Sequence, residues 1–68
     1  MKIQYARKTD LLYLRFDPAP QAVTNRRVTD DVVLDVGDGE KIVGVEILNA
    51  SRHLDLSHVR SLKFQLVD

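Results

Sequence analysis

The chain has no cysteine and no tryptophan, only three glycines, two histidines and four other aromatic residues, and no net charge. Each shortage removes a class of answer. Without cysteine there is no disulfide and no thiolate metal site. Two tyrosines and two phenylalanines are too few for a base-stacking platform. Ten basic residues against ten acidic ones argue against a dedicated nucleic-acid binder, which is usually basic. No apolar run approaches the ~20 residues that span a bilayer. The opening Met-Lys-Ile-Gln-Tyr-Ala alternates and lacks the apolar core of a signal peptide. The expectation is a cytoplasmic protein with no membrane contact.

What is present is an ordinary globular balance, 44% hydrophobic and 29% charged. Sixty-eight residues make a single domain, residues 1–68. A chain of that size buries only about 60% of its unfolded surface, and the usual supports are disulfides, metals or oligomerisation. With disulfides gone, association with a second copy or a small protein partner becomes the favoured support. The zero net charge also hides segregation. Residues 1–27 carry six basic and two acidic side chains, residues 28–50 one and six, residues 51–68 three and two. Pairing between neighbouring strands is the plainest use of such an arrangement; a charged partner is the other.

Alternation of period two dominates the chain and predicts a mainly β fold. Met1, Ile3 and Tyr5 alternate with polar residues, then Arg7-Lys8-Thr9-Asp10 turns the chain into Leu12, Leu14 and Phe16, an antiparallel hairpin. Asp17-Pro18-Ala19-Pro20 stops the second strand, because proline cannot donate to a ladder. Residues 22–29 read as an edge strand whose arginines discourage stray pairing. Val32, Leu34 and Val36 lead to a Gly37-Asp38-Gly39-Glu40 loop that supplies positive-φ positions, and Val43, Val45 and Ile47 continue beyond it. Gly44, inside this strand on the opposite face, indicates a bulge or a close approach of other backbone. Asn49-Ala50-Ser51-Arg52 forms a corner, Asp55 or Ser57 caps one short helical turn, and Leu62, Phe64 and Leu66 alternate as a closing strand. The expected architecture is a curled antiparallel meander of five or six short strands with one C-terminal helical turn.

Tyr5, Asp10, Leu12-Tyr13-Leu14-Arg15-Phe16, Val33-Leu34-Asp35 and Ile42-Val43-Gly44-Val45-Glu46-Ile47-Leu48-Asn49-Ala50-Ser51 resemble a family of very small prokaryotic proteins, domain of unknown function 2283 (DUF2283). Its members read Tyr-Asp-x-x-x-Asp-x-Leu-Tyr-Ile, later Leu-Asp, then Val-Gly-Ile-Glu-Ile-Leu-Asp-Ala-Ser. The resemblance spans residues 1 to about 52, and its end at Ser51 is the most specific part. Two positions depart from the pattern. Ala6 stands where an acidic residue is usual, and the turn glycine common at the slot of Glu40 is Gly39 here. The resemblance implies the fold more than an activity. Some members are similar to the smaller partner of toxin–antitoxin-like gene pairs, which implies an antitoxin-like role.

Candidate chemistry is thin. Asp10, Asp35, Asp38, Glu40 and Glu46 are the carboxylates available for acid–base or metal work, which requires convergence and a shifted pKa. Asp38 and Glu40 fall in an exposed turn, while Asp35 and Glu46 alternate with buried residues and face cross-strand cations. His53, Asp55 and His58 would have to converge with sheet carboxylates to hold a metal. No residue is assigned to catalysis, to a cofactor or to a metal. Arg15, Arg26 and Arg27 are the residues a nucleic acid would touch. The outward apolar positions Tyr13, Val33, Ile42 and Leu48, with Gly44, are the candidate interaction surface. Gly37, Asp38, Gly39, Asn49 and Ser51 are assigned to turns. The leading expectation is a non-enzymatic interaction module that homodimerises or binds a small protein. A small metal-binding or hydrolytic protein is the alternative, and nucleic-acid binding through those arginines is the third reading.

Overall fold

The computed structural model describes residues 1–68. Five strands, β1 (Lys2–Ala6), β2 (Leu11–Arg15), β3 (Thr24–Thr29), β4 (Val32–Val36) and β5 (Ile42–Ile47), form one antiparallel sheet in the order β1-β2-β5-β4-β3. The mainly β class is therefore the one the alternation calls for. Two details differ from the expectation. The sheet is open rather than curled. It is also not a next-neighbour meander throughout: residues 16–23, stiffened by Pro18 and Pro20, carry the chain from β2 to the far edge, and β5 returns to pair with β2.

Only short 3₁₀ turns accompany the sheet, at Asp38–Glu40, Ala50–Arg52 and Leu56–Ser61. The last is the expected helical turn. Asp55 caps it, accepting from the Ser57 backbone N–H at 3.1 Å and from the Ser57 hydroxyl at 2.6 Å, which satisfies donors a helix start leaves free. The expected closing strand is absent. Residues 62–67 pair with no strand of the chain, and Phe64 is 94% exposed. Alternation alone could not reveal this, because it reports that a segment can pair, not that a free edge lies within its reach.

The register sorts the side chains. Tyr13 lies opposite Gln4 and Glu46, and Gly44 opposite Arg15 and Asp35. These residues share one face, the polar face, with Lys2, Val33, Asn25 and Arg27. Leu14 lies opposite Ile3 and Val45, and Val45 opposite Leu34, on the apolar face. The β4–β5 register shifts between Asp35 and Val36, which accommodates Val43 as an extra residue beside Gly44. Burial is sparse. Seven residues of the chain are buried, Leu12, Val43 and Ala50 most completely.

In the β4–β5 loop Gly39 and Glu40 both have positive φ, +67° and +62°. Glycine takes that conformation freely and glutamate does not. The position where the resembled pattern carries glycine thus keeps its left-handed backbone here with a side chain attached. Arg26 of the edge strand holds that side chain in a bidentate ion pair, Nη1 to Oε2 at 2.9 Å and Nη2 to Oε1 at 3.3 Å. It is the one Lys or Arg pair that bridges the basic and acidic segments of the chain.

Candidate functional site: a clamped corner and an open apolar face

At one end of the sheet two hairpin turns and the exit of β5 meet. Asp10, in the β1–β2 turn with φ +53°, accepts from the Ala50 N–H through its carbonyl at 2.9 Å. Its carboxylate accepts from the Ser51 hydroxyl at 2.6 Å, from the Ser51 N–H at 3.1 Å and from the Tyr5 hydroxyl at 2.7 Å. Asp31, in the β3–β4 turn, repeats the arrangement. Its carbonyl accepts from the Leu48 N–H at 2.7 Å. Its carboxylate accepts from Asn49 Nδ2 at 3.1 Å and lies 2.8 Å from His53 Nε2. Between the two clamps Ala50 is fully enclosed, at 0% exposure. Asn49 takes the left-handed conformation, φ 52°, that Asn and Asp tolerate best.

The electrostatics follow the hydrogen bonds. Donation from the Ser51 and then the Tyr5 hydroxyl holds the Asp10 carboxyl below its ordinary 3.8. His53 first and Asn49 second do the same for Asp31. The Tyr5 hydroxyl is pushed up, chiefly because it donates to Asp10. The two carboxylates are held as hydrogen-bonded ions and Tyr5 as the neutral phenol that donates to one of them, so these groups are engaged with one another within the chain. The corner therefore has the chemistry of a staple. A general base would need a carboxylate free to take a proton.

On the polar face the Tyr13 hydroxyl donates to Asp35 Oδ2 at 2.9 Å, and Asp35 is only 6% exposed. Tyr13 reaches it across Gly44. A Cβ at Gly44 would lie 2.8 Å from the Tyr13 hydroxyl oxygen and 2.9 Å from the Leu14 carbonyl oxygen. Both sequence readings of Gly44 hold in modified form: a bulge begins beside it, and a tyrosine of the same chain makes the close approach. Asp35 meets a phenol, not the cation that cross-strand pairing would supply.

The remaining candidates scatter. Asp38 and Glu40 lie in the exposed loop after Gly37, and Glu40 is engaged by Arg26. His53 faces Asp31, while His58 lies 3.9 Å from Asp55. No three His, Asp or Glu side chains converge in a metal-holding group. Arg15 is tied to the carbonyls of Asp17 and Ala19, at 2.7 and 2.9 Å, and Arg27 to the carbonyl of Asp30. Of the candidate interaction surface, Tyr13, Val33 and Gly44 share the polar face, with Val33 buried. Ile42 lies opposite Val36, which is on the apolar face, and is 50% exposed; Leu48 is half-buried beside the Asp31 clamp.

The corner joins the segments the resemblance rests on: Tyr5, Asp10 and Leu48-Asn49-Ala50-Ser51. The chain matches the family model described as protein of unknown function (DUF2283) over residues 2–51. It belongs to that family. No curated protein and no solved structure matches it. The matched region closes at Ser51, so the capped turn Leu56–Ser61 and residues 62–67 lie beyond it.

Asp31 is the residue that sequence reasoning passed over. Its signal was present in the sequence. An aspartate ends each of two hairpin turns, and the polar corner Asn49-Ala50-Ser51 needs two such acceptors.

The apolar face is left unfinished. Leu14, Leu34, Val45 and Ile47 are half-buried, and Ile3, Tyr5, Phe16 and Ile42 are exposed around them. The capped turn covers one part of it, leaving a cleft of about 340 Å³ lined by Ile3, Tyr5, Leu12, Leu56, Val59 and Arg60.

Proposed function

We propose that this DUF2283 protein is a non-enzymatic interaction module whose sheet is completed by another protein surface, a second copy or a small protein partner. The half-covered apolar face carries the reading. A five-stranded open sheet needs a layer over its hydrophobic side. Here one short 3₁₀ segment, Leu56–Ser61, covers part of that side, and five buried hydrophobic residues make a very small core. The polar groups support the same reading from the other side, since the carboxylates of Asp10, Asp31, Asp35 and Asp55 are engaged in holding the fold. An antitoxin-like role, in which the partner is a toxin, rests on the family resemblance alone.

The test places a charge on the open face at a position that tolerates one. Ile42→Lys, at a half-exposed site, is expected to leave the circular dichroism spectrum intact and to weaken association about tenfold or more. Association is read as molar mass by light scattering and as retention of protein on the immobilised chain. Equal behaviour of the native and Ile42→Lys chains in both measurements would remove this face from the interaction.

A further inference from the structure

We infer that the polar face carries a binding cleft for a small organic phosphate monoester, gripped by Lys2 and Arg15 beside the loop that holds Pro18 and Pro20. The inference goes beyond the interaction role proposed above, which concerns the opposite face.

The cleft lies where β1, β2 and the crossing loop meet. Its volume is about 450 Å³, and Lys2, Gln4, Tyr13, Arg15, Pro18 and Pro20 line it together with Met1. Small-molecule sites begin at about 300 Å³. Two cations stand in its wall, and no carboxylate does. Lys2 and Arg15 lie directly opposite each other across the β1–β2 pair, an arrangement of like charges that costs stability. The chain brings no counter-ion to them. Neither residue forms an ion pair. Asp17 is the nearest acid in the sequence, and its carboxylate turns to the Ala19 N–H at 3.0 Å. On the same face Asp35 takes the Tyr13 hydroxyl, and Glu46 stands on the far side of Tyr13 from Gln4.

Arg15 is set up to receive an anion. Of the ten Lys and Arg residues it alone is half-buried, and cations withdrawn from water are usually paired. Its Nε and Nη2 donate to the carbonyls of Asp17 and Ala19, at 2.7 and 2.9 Å. Those bonds fix the guanidinium plane and use two of its five N–H donors. Both protons of Nη1 and one of Nη2 remain, the set that meets two oxygens of an oxyanion side by side.

Charge and shape select the ligand. Two cations match a dianion. A phosphate monoester carries about −1.5 to −2 at pH 7, whereas a carboxylate carries a single charge. Arg15 supplies the planar fork and Lys2 the point charge. The cleft is larger than a phosphate group fills, and Tyr13, Pro18 and Pro20 add ring surfaces for an organic group. The prolines and the two Arg15 bonds stiffen that wall before any ligand arrives, which lowers the cost of binding.

Phenyl phosphate, inorganic phosphate and benzoate, each titrated into the full chain, test the cleft by calorimetry and by backbone amide chemical shifts. Phenyl phosphate is expected to bind once per chain with a dissociation constant below about 1 mM, moving the amides of residues 2–4 and 13–15. Benzoate and inorganic phosphate are each expected to bind about tenfold more weakly. Lys2→Ala, at an exposed position, is expected to keep the circular dichroism spectrum and to weaken phenyl phosphate about tenfold. Lys8→Ala, which removes the same charge from the β1–β2 turn, is expected to leave binding unchanged. No saturable binding of phenyl phosphate up to about 10 mM overturns the inference. So does an equal loss in Lys2→Ala and Lys8→Ala, which would mark attraction by net charge alone. Benzoate bound as tightly as phenyl phosphate overturns the choice of phosphate, and inorganic phosphate bound as tightly overturns the organic group.

Discussion

The two faces of the sheet solve the same problem differently. On the polar face Tyr13 crosses Gly44 to reach Asp35, so a few side chains of the chain itself seal the middle of the sheet. On the apolar face Leu14, Leu34 and Val45 remain half open under a single 3₁₀ turn. The difference teaches where to look for function in a domain this small. The distinctive residues, tyrosines, aspartates and a glycine, satisfy one another. The generic ones, leucine, valine and isoleucine, are left with surface still to bury.

The contrast can be broken most severely at Gly44. Gly44→Val forces a side chain between Tyr13 and the Leu14 carbonyl, and only one of those can swing away. The expected loss is about 3 kcal/mol, the upper end of overpacking costs. In a domain whose whole stability is on the order of 3–10 kcal/mol, thermal or urea denaturation should show a large part of the population unfolded. Tyr13→Phe is gentler. It keeps the ring over Gly44 but strips Asp35 of its donor, leaving a nearly buried carboxylate unsatisfied at a cost of about 1–3 kcal/mol. Urea denaturation should resolve the change, and a midpoint equal to that of the native chain would show that water replaces the phenol.

The clamped corner sharpens the contrast through pH. Asp10 titrates below its ordinary 3.8 in the folded chain, so its contribution is present above the unfolded pKa and disappears as pH falls through the lower folded value. Asp10→Ala should therefore lower the melting temperature at pH 7 and flatten its decline in acid, most visibly below pH 3.8. Parallel melting curves for the two chains across that range would show that the Ser51 and Tyr5 bonds do not discriminate the charged form.

Much of this was legible in the residues. Period-two alternation placed β1, β2, β4 and β5, the edge-strand reading of residues 22–29 placed β3, and the prolines placed the break after β2. Asp55 followed by Ser57 placed the final capped turn. The Gly-Asp-Gly stretch predicted positive φ, although it falls at Gly39 and Glu40 together. What stayed hidden was long-range. Nothing local says that β5 will lie beside β2, that Asp31 will reach Asn49 and His53, or that Tyr13 will reach across to Asp35. The failure at Leu62, Phe64 and Leu66 is of the same kind. A strand pattern names a capacity to pair, and the partner is decided by sheet edges that form elsewhere.

The crossing made by residues 16–23 also has a kinetic meaning. β1 pairs with β2, β3 with β4, and β4 with β5 across short connections, whereas the β2–β5 seam joins residues about thirty positions apart. Hairpins close in microseconds but are marginal alone, and loop-closure entropy delays distant contacts. Two local pieces therefore flicker until the seam locks them. The Asp10 clamp, which ties the end of β5 to the β1–β2 turn, crosses that seam and is positioned to act as the latch, while the Asp31 clamp secures the end of β5 within its own piece.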